Sequence, residues 1–182
     1  MKVLAISSSP RKGGNSDVLC DRFLKGAEEA GYQTAKIRLA EKNISPCNAC
    51  CNCQPCCGGK KDHTCVQEDD MAEILQQLVE AEVIVLATPV YFYCMDARMK
   101  TMIDRCYARY REMTGKKLYF IVTAADPQHE AAQEALAGLR GFLRCLPDAE
   151  ECGVIYGTGA WDIGDIYRHP ALEEAYRMGK EA

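Results

Sequence analysis

The chain has no apolar run long enough to lie across a bilayer. Its longest, such as Val83-Ile84-Val85-Leu86-Ala87, fall far short of the roughly 20 residues a spanning helix needs. It has no basic excess either: Lys and Arg number 22 against 26 Asp and Glu, so a net charge of −4 argues against a fold-wide surface for nucleic acid. Hydrophobic residues make up 48% and charged residues 26%, which excludes a disordered chain. The apolar start at residues 2–6 is too short for a signal-peptide core, and no small-residue cleavage site follows it, so a cytoplasmic location is expected. Neither G-x-G-x-x-G nor G-x-x-x-x-G-K-[ST] occurs, so a dinucleotide fingerprint and an NTP loop both lack support. No Ser-His-Asp constellation with a recognisable spacing points to hydrolysis. Repeats and inter-domain linkers are also missing, and 182 residues are expected to form a single domain, 1–182, with one cysteine-rich insertion at 41–68.

Cysteine is abundant. Of 12, Cys47, Cys50, Cys51, Cys53, Cys56, Cys57 and Cys65 crowd into that insertion. In a reducing compartment such a cluster reads as metal or redox chemistry rather than as a disulfide framework. The scattered Cys20, Cys94, Cys106, Cys145 and Cys152 sit in apolar patterns and are expected to be small core residues.

The rest of the chain alternates strands with helices. Strands are expected at 2–6, 35–39, 83–87, 118–122 and, shorter, 153–156. Helical stripes run through Leu19, Phe23 and Ala27, then Ile74, Leu75 and Leu78, then Met95, Met99, Met102 and Cys106, then Leu136, Leu139 and Leu143. Asn15 or Ser16 is the expected cap of the first helix, Gly31 its stop, and Asp70 with Glu73 a capping box for the second. His169-Pro170 opens the last. Five βα units imply a parallel sheet with helices on both faces. The second strand alternates and the fifth is short, so both suit edges; the order 2-1-3-4-5 follows, with its switch point between strands one and three.

Two loops flank that point. Residues 7–16 supply hydroxyls, Arg11, Lys12, Gly13 and Gly14 just before a helix N-terminus, which is the chemistry a phosphate wants; a well-capped polar loop is the plainer alternative. Residues 88–94 are apolar and aromatic beside a proline, suited either to a planar heteroaromatic ring or to covering the sheet end. Together they make a mononucleotide such as FMN the economical ligand. In the insertion, the two-residue gaps between Cys47, Cys50 and Cys53 suit an iron–sulfur cubane. Zinc usually asks for two well-separated pairs, and thiols without metal are the third reading. Loop histidine His63, and Arg105, Arg109 and Arg111 with Glu112, are expected to be solvated; Trp161 is expected to pack, and His129 to start a helix.

Ser9-Pro10-Arg11-x-x-x-Asn15-Ser16, Pro89-Val90-Tyr91-Phe92 followed by Lys100 and Asp104-Arg105, Cys47-x-x-Cys50-x-x-Cys53 ahead of Asp69-Asp70-Met71, and the terminal Gly164-Asp165-x-x-x-His169-Pro170-Ala171-Leu172 with Ala175-Tyr176 resemble the flavodoxin-like NAD(P)H-dependent FMN reductase family, most closely its iron–sulfur flavoprotein branch. The resemblance implies a flavodoxin-like three-layer α/β sandwich around a five-stranded parallel sheet. It implies that Ser9, Arg11, Asn15 and Ser16 hold the FMN phosphate, that Pro89, Val90, Tyr91 and Phe92 line the isoalloxazine, and that Thr123, Ala124 and Ala125 meet its other edge. It selects Cys65 as the fourth ligand of a [4Fe-4S] cluster with Cys47, Cys50 and Cys53, ahead of Cys56 and Cys57. It also implies NAD(P)H as a transient donor, a redox protein or small molecule as acceptor, and a homodimer or homotetramer. Flavin redox chemistry needs no side-chain acid or base for hydride transfer, so no catalytic residue is assigned. Two rival functions are an electron carrier without a substrate of its own, and a cysteine-rich metal or thiol sensor.

Overall fold

The computed structural model describes residues 1–54 and 64–182; Cys56, Cys57 and His63 therefore lie outside the described residues. Five strands run parallel: β1 (Lys2–Ser7), β2 (Gln33–Arg38), β3 (Val83–Tyr91), β5 (Lys117–Ala124) and β6 (Glu150–Thr158), in the order β2-β1-β3-β5-β6. This is the expected order, with one addition. β4 (Cys94–Met95) turns back antiparallel on the end of β3 and makes the sheet six-stranded. Among the described residues four α-helices lie in the connections, α1 (Asn15–Glu29), α2 (Met71–Glu80), α3 (Ala97–Arg105) and α4 (Gln133–Leu143), and α5 (Ala171–Glu181) follows the last strand.

The strand period of two divides the core cleanly. Leu4, Ile6, Ile84, Leu86, Leu118, Phe120 and Val122 face one apolar layer, built with Ile74 and Leu78 of α2, Met99 and Met102 of α3, and Leu136 and Leu139 of α4. Val3, Ala5, Val83, Val85, Ala87, Tyr119, Ile121 and Ile155 face the other, with Leu19 and Phe23 of α1 and Ala171 and Ala175 of α5. A sheet covered on both faces requires apolar residues at every position, which explains the unbroken runs in β1, β3 and β5.

Several local expectations are corrected. Gly14, not Asn15 or Ser16, is the N-cap of α1, and no side chain caps it. The box at α2 does not form: Asp70 is helical, the Met71 N–H is taken by Asp69 Oδ1 (3.1 Å), and Glu73 pairs with Lys42. β6 is nine residues long rather than short. Cys20 and Cys106 are buried as expected, but Cys94, Cys145 and Cys152 are exposed. The Trp161 ring is exposed rather than packed. His129 does start a helix, a 3-10 stretch (His129–Ala132) that runs directly into α4, and its ring stacks on Tyr156 with centroids 4.3 Å apart.

Candidate functional site

The carboxyl ends of β1, β3 and β5 lie side by side, with Ser7 beside Ala87 and Pro89 beside Thr123. The first loop leaves β1 there, held by Ser8, whose N–H (2.9 Å) and hydroxyl (3.1 Å) both donate to the Ala87 carbonyl. It then folds tightly onto the start of α1. Gly13 has φ +67°, and a side chain on Gly14 would meet Arg11 Cβ and the Arg11 carbonyl at 3.0 Å. The first-turn amides of a helix have no intrahelical acceptor, and no side chain among the described residues supplies one here, so the positive end of a 15-residue helix is left open at the loop. Asp17 is the one anion in that turn. Burial alone would raise its pKa, but the Gly13 N–H (3.0 Å) and the cations Lys36 (3.2 Å) and Arg38 (3.3 Å) outweigh burial and hold it low, so its charge is already neutralised.

Arg11 is exposed, and its Nη1 donates to the Trp161 carbonyl at 3.0 Å; the Ser9 hydroxyl accepts the Arg11 N–H at 3.3 Å. Asn15 is buried. Its Nδ2 donates to the carbonyls of Ala160 (3.2 Å) and Asp162 (3.0 Å), fastening the segment after β6 over the first loop. Its Oδ1, and the Ser7 hydroxyl, are buried with no partner among the described residues. Ser16 and Thr123 share a buried hydroxyl–hydroxyl bond of 2.6 Å. Of the four residues expected to grip phosphate, Ser9 and Arg11 therefore line the loop, while Asn15 and Ser16 brace it.

The second loop is a tight β-hairpin. Tyr91 pairs with Cys94, and between them Phe92 and Tyr93 take φ +50° and +63°, the pair of left-handed residues that a two-residue hairpin turn demands. Thr88 and Asp96 anchor its base: the Asp96 N–H donates to the Thr88 hydroxyl (3.0 Å), and Asp96 caps α3 by accepting from Met99 N–H (3.0 Å). Pro89 and Val90 are half-buried, Tyr91 and Tyr93 are exposed, and Phe92 is 99% exposed. Ala124 closes the far side, where its carbonyl accepts the Ala160 N–H at 3.1 Å. Ala125 is exposed beside it.

The described cysteines of the insertion gather at one cleft of about 860 Å³, which Cys47, Cys50, Cys51, Cys53 and Cys65 line together with α3 and α4. Burial, joined by the neighbouring thiols of Cys65, Cys47 and Cys50, pushes the Cys53 thiol up. Those neighbours are the other three expected ligands. Among the described residues, no group of three or more His, Cys, Asp or Glu is already arranged to hold a metal ion.

Arg105 is the residue the sequence reading missed. It is not solvated: its side chain is 1% exposed, and it pairs with Asp69 through Nη1–Oδ2 (2.6 Å) and Nη2–Oδ1 (2.9 Å). Burial opposes ionisation of both partners, yet their mutual bonds win, lowering Asp69 and raising Arg105. Nη1 also donates to the Ser45 carbonyl (2.7 Å), and Nη2 lies 3.6 Å from Cys65 Sγ.

The sequence model of the family described as NADPH-dependent FMN reductase matches residues 1–148. An iron–sulfur flavoprotein of Archaeoglobus fulgidus is 39% identical over 105 residues, 58% of this chain and 45% of the relative. An iron–sulfur flavoprotein of Methanocaldococcus jannaschii is 40% identical over 105 residues, 58% of this chain and 51% of the relative. The chain thus spans about half the length of these curated relatives. An NAD(P)H:quinone oxidoreductase of Methanothermobacter marburgensis superposes with a TM-score of 0.75 at 16% identity, covering 100% of this chain and 95% of the other, a likeness of fold.

Proposed function

The chain belongs to the NADPH-dependent FMN reductase family, and from that premise we propose that it is an FMN-dependent oxidoreductase, drawing electrons from NAD(P)H or a reduced carrier and delivering them to a small molecule or a redox protein. One observation carries the reading: an uncapped helix N-terminus and an aromatic hairpin converge on a single switch point, β1 beside β3. The donor set fits a phosphate monoester, since the open α1 amides, the Ser9 hydroxyl and the Arg11 guanidinium are all donors. Asn15 holds this loop against the segment after β6, and the Ser16–Thr123 pair holds the start of α1 against the end of β5. Pro89, Val90, Tyr91 and Phe92 offer an apolar wall for the ring, and the backbone of Thr123, Ala124 and Ala125 its opposite edge. When bound, FMN supplies the centre that accepts a hydride and releases electrons. The protein's part is to orient the ring and to hold hydrogen-bond donors and the Arg11 cation at the phosphate, with the charge of Asp17 already balanced by Lys36 and Arg38.

The same proposal gives Cys47, Cys50, Cys53 and Cys65 to a [4Fe-4S] cluster, whose chemistry is single-electron exchange. The close cysteine spacing, the one cleft that Cys47, Cys50, Cys53 and Cys65 all line, and the names of the two archaeal relatives support it. A homodimer or homotetramer is proposed as the working form. The test is anaerobic purification, with the heat-released ligand identified by mass, followed by addition of NADH or NADPH while the flavin absorption is followed. FMN near one per chain and bleaching by a nicotinamide are expected. FAD at full occupancy, or no flavin after incubation with FMN, would overturn the reading.

A further inference from the structure

Between residues 45 and 69 the chain makes a long excursion without helix or strand among its described residues, and the cysteines lie on it. Loop ligands can hold a rigid metal group only if something fixes the two flanks of the excursion relative to each other. The Asp69–Arg105 pair does this. Ser45 is gripped at both of its backbone groups, its N–H donating to Asp69 Oδ2 (3.0 Å) and its carbonyl accepting from Arg105 Nη1 (2.7 Å). Asp69 in turn accepts the Met71 N–H, which ties the clamp to the first turn of α2. Arg105 is the last residue of α3, whose neighbours Ile103, Asp104, Cys106 and Tyr107 form one wall of the cysteine cleft.

A carboxylate partner alone would need only one edge of the guanidinium. This one also presents Nη2 to Cys65 Sγ at 3.6 Å, within reach of a hydrogen bond to sulfur. Burying an ion pair is a poor route to stability, because desolvation offsets most of the attraction. Such a pair does fix geometry, since guanidinium donors lie in a rigid planar fork.

We propose that Arg105 is the positioning residue of the cysteine segment: through Asp69 and Ser45 it sets the distance between the Cys47 and Cys65 flanks, and it directs an N–H at the Cys65 sulfur. This rests on the cluster reading above. Hydrogen bonds to cluster sulfurs, and positive charge beside them, stabilise the reduced, more negative state and raise its potential. Arg105 therefore has two consequences, one for assembly and one for potential.

The experiment compares the FMN-loaded wild type with Arg105→Lys, Arg105→Gln and the charge-balanced double variant Asp69→Asn/Arg105→Gln. The double variant guards against misfolding caused by a buried, unpaired Asp69. Each is reconstituted anaerobically with iron and sulfide and assayed for iron, acid-labile sulfide and cluster midpoint potential. Before reconstitution, hydrogen exchange is read by mass on peptides covering 43–50 and 64–71. The glutamine variants are expected to keep helix content and FMN, to hold less than half the wild-type iron and sulfide, and to exchange at least tenfold faster in both peptides. Arg105→Lys, which keeps the charge and loses the fork, is expected to recover part of the iron at a potential below wild type. Wild-type iron at unchanged potential in the glutamine variants would overturn the assignment and leave the cluster reading intact. A wild type that takes up no iron would overturn the cluster reading and the redox role of Arg105. Unchanged exchange in both peptides would overturn its hold on the two flanks.

Discussion

Among the described residues the Arg11 guanidinium bonds one carbonyl, that of Trp161, and the residue is exposed, so it is free to meet a dianion without breaking the fold. Arg11→Ala is expected to weaken FMN binding by about 1.5–3 kcal/mol, the range for a charge-assisted bond, and Ser9→Ala by about 1 kcal/mol. Titration of apoprotein followed by flavin fluorescence measures both, and unchanged affinity in the two variants would move the phosphate elsewhere. Asp17 makes a different prediction, in pH. Its folded pKa lies below the ordinary 3.8, because the Gly13 N–H, Lys36 and Arg38 overcome the opposing effect of burial. Its contribution to stability is therefore complete above about pH 5 and is lost as the pH falls through 3.8 toward the folded value. Asp17→Asn is expected to cost roughly 1–3 kcal/mol at pH 7, with the gap to wild type closing on acidification. Urea midpoints at a series of pH values would show it; a gap that widened toward low pH would contradict the sign. Arg105 shows the limit of residue-level reading. Its partner Asp69 is 36 positions away, so nothing local separates a buried clamp from a solvated arginine on the same helix.

The layer beneath the site depends on two helices that nearly touch. α1 and α5 cross at Gly26 and Gly179, where an added Cβ would come within 2.2 Å of the Tyr176 carbonyl oxygen and 2.0 Å of the Phe23 carbonyl oxygen. Backbone cannot give way as a flexible side chain would. Gly179→Ala is expected to destabilise by at least about 1–3 kcal/mol, and a lowered urea midpoint is its measure. Neither glycine stands out in the sequence, since a helical glycine usually reads as a mild defect. β1, β3 and β5 were legible because strands covered on both faces carry unbroken apolar runs. β6 looked short because Glu150, Glu151 and Cys152 are exposed and a register shift opposite Leu118 and Tyr119 leaves Cys152 unpaired. The hairpin was hidden for a chemical reason. Its turn holds Phe92 and Tyr93 at left-handed angles where glycine or asparagine would have announced it. Two aromatic residues kept in that conformation imply that the tip is retained for what it presents rather than for how easily it turns.

In the molecule as a whole, this end exposes several large apolar side chains. Phe92 is 99% exposed and Tyr93 62%, and Trp161, Ile163 and Tyr167 in the segment after β6 are each at least 60% exposed. That segment is bound to the first loop through Asn15 and Arg11, so its aromatic residues belong to the same rim of the sheet as the candidate cofactor site. Single exposed apolar side chains are ordinary on a protein surface, whereas several large ones gathered at one functional end mark a surface that is covered in use. A second copy of the chain would bury them and exclude water from the ring. Light scattering is expected to give a dimer or tetramer. Phe92→Asp places a charge at the most exposed point of the rim and is expected to shift the population toward monomer while leaving the helix content unchanged. A wild type that stays monomeric at working concentration would contradict the covered rim, and an unaltered oligomer in Phe92→Asp would place the contact away from the hairpin.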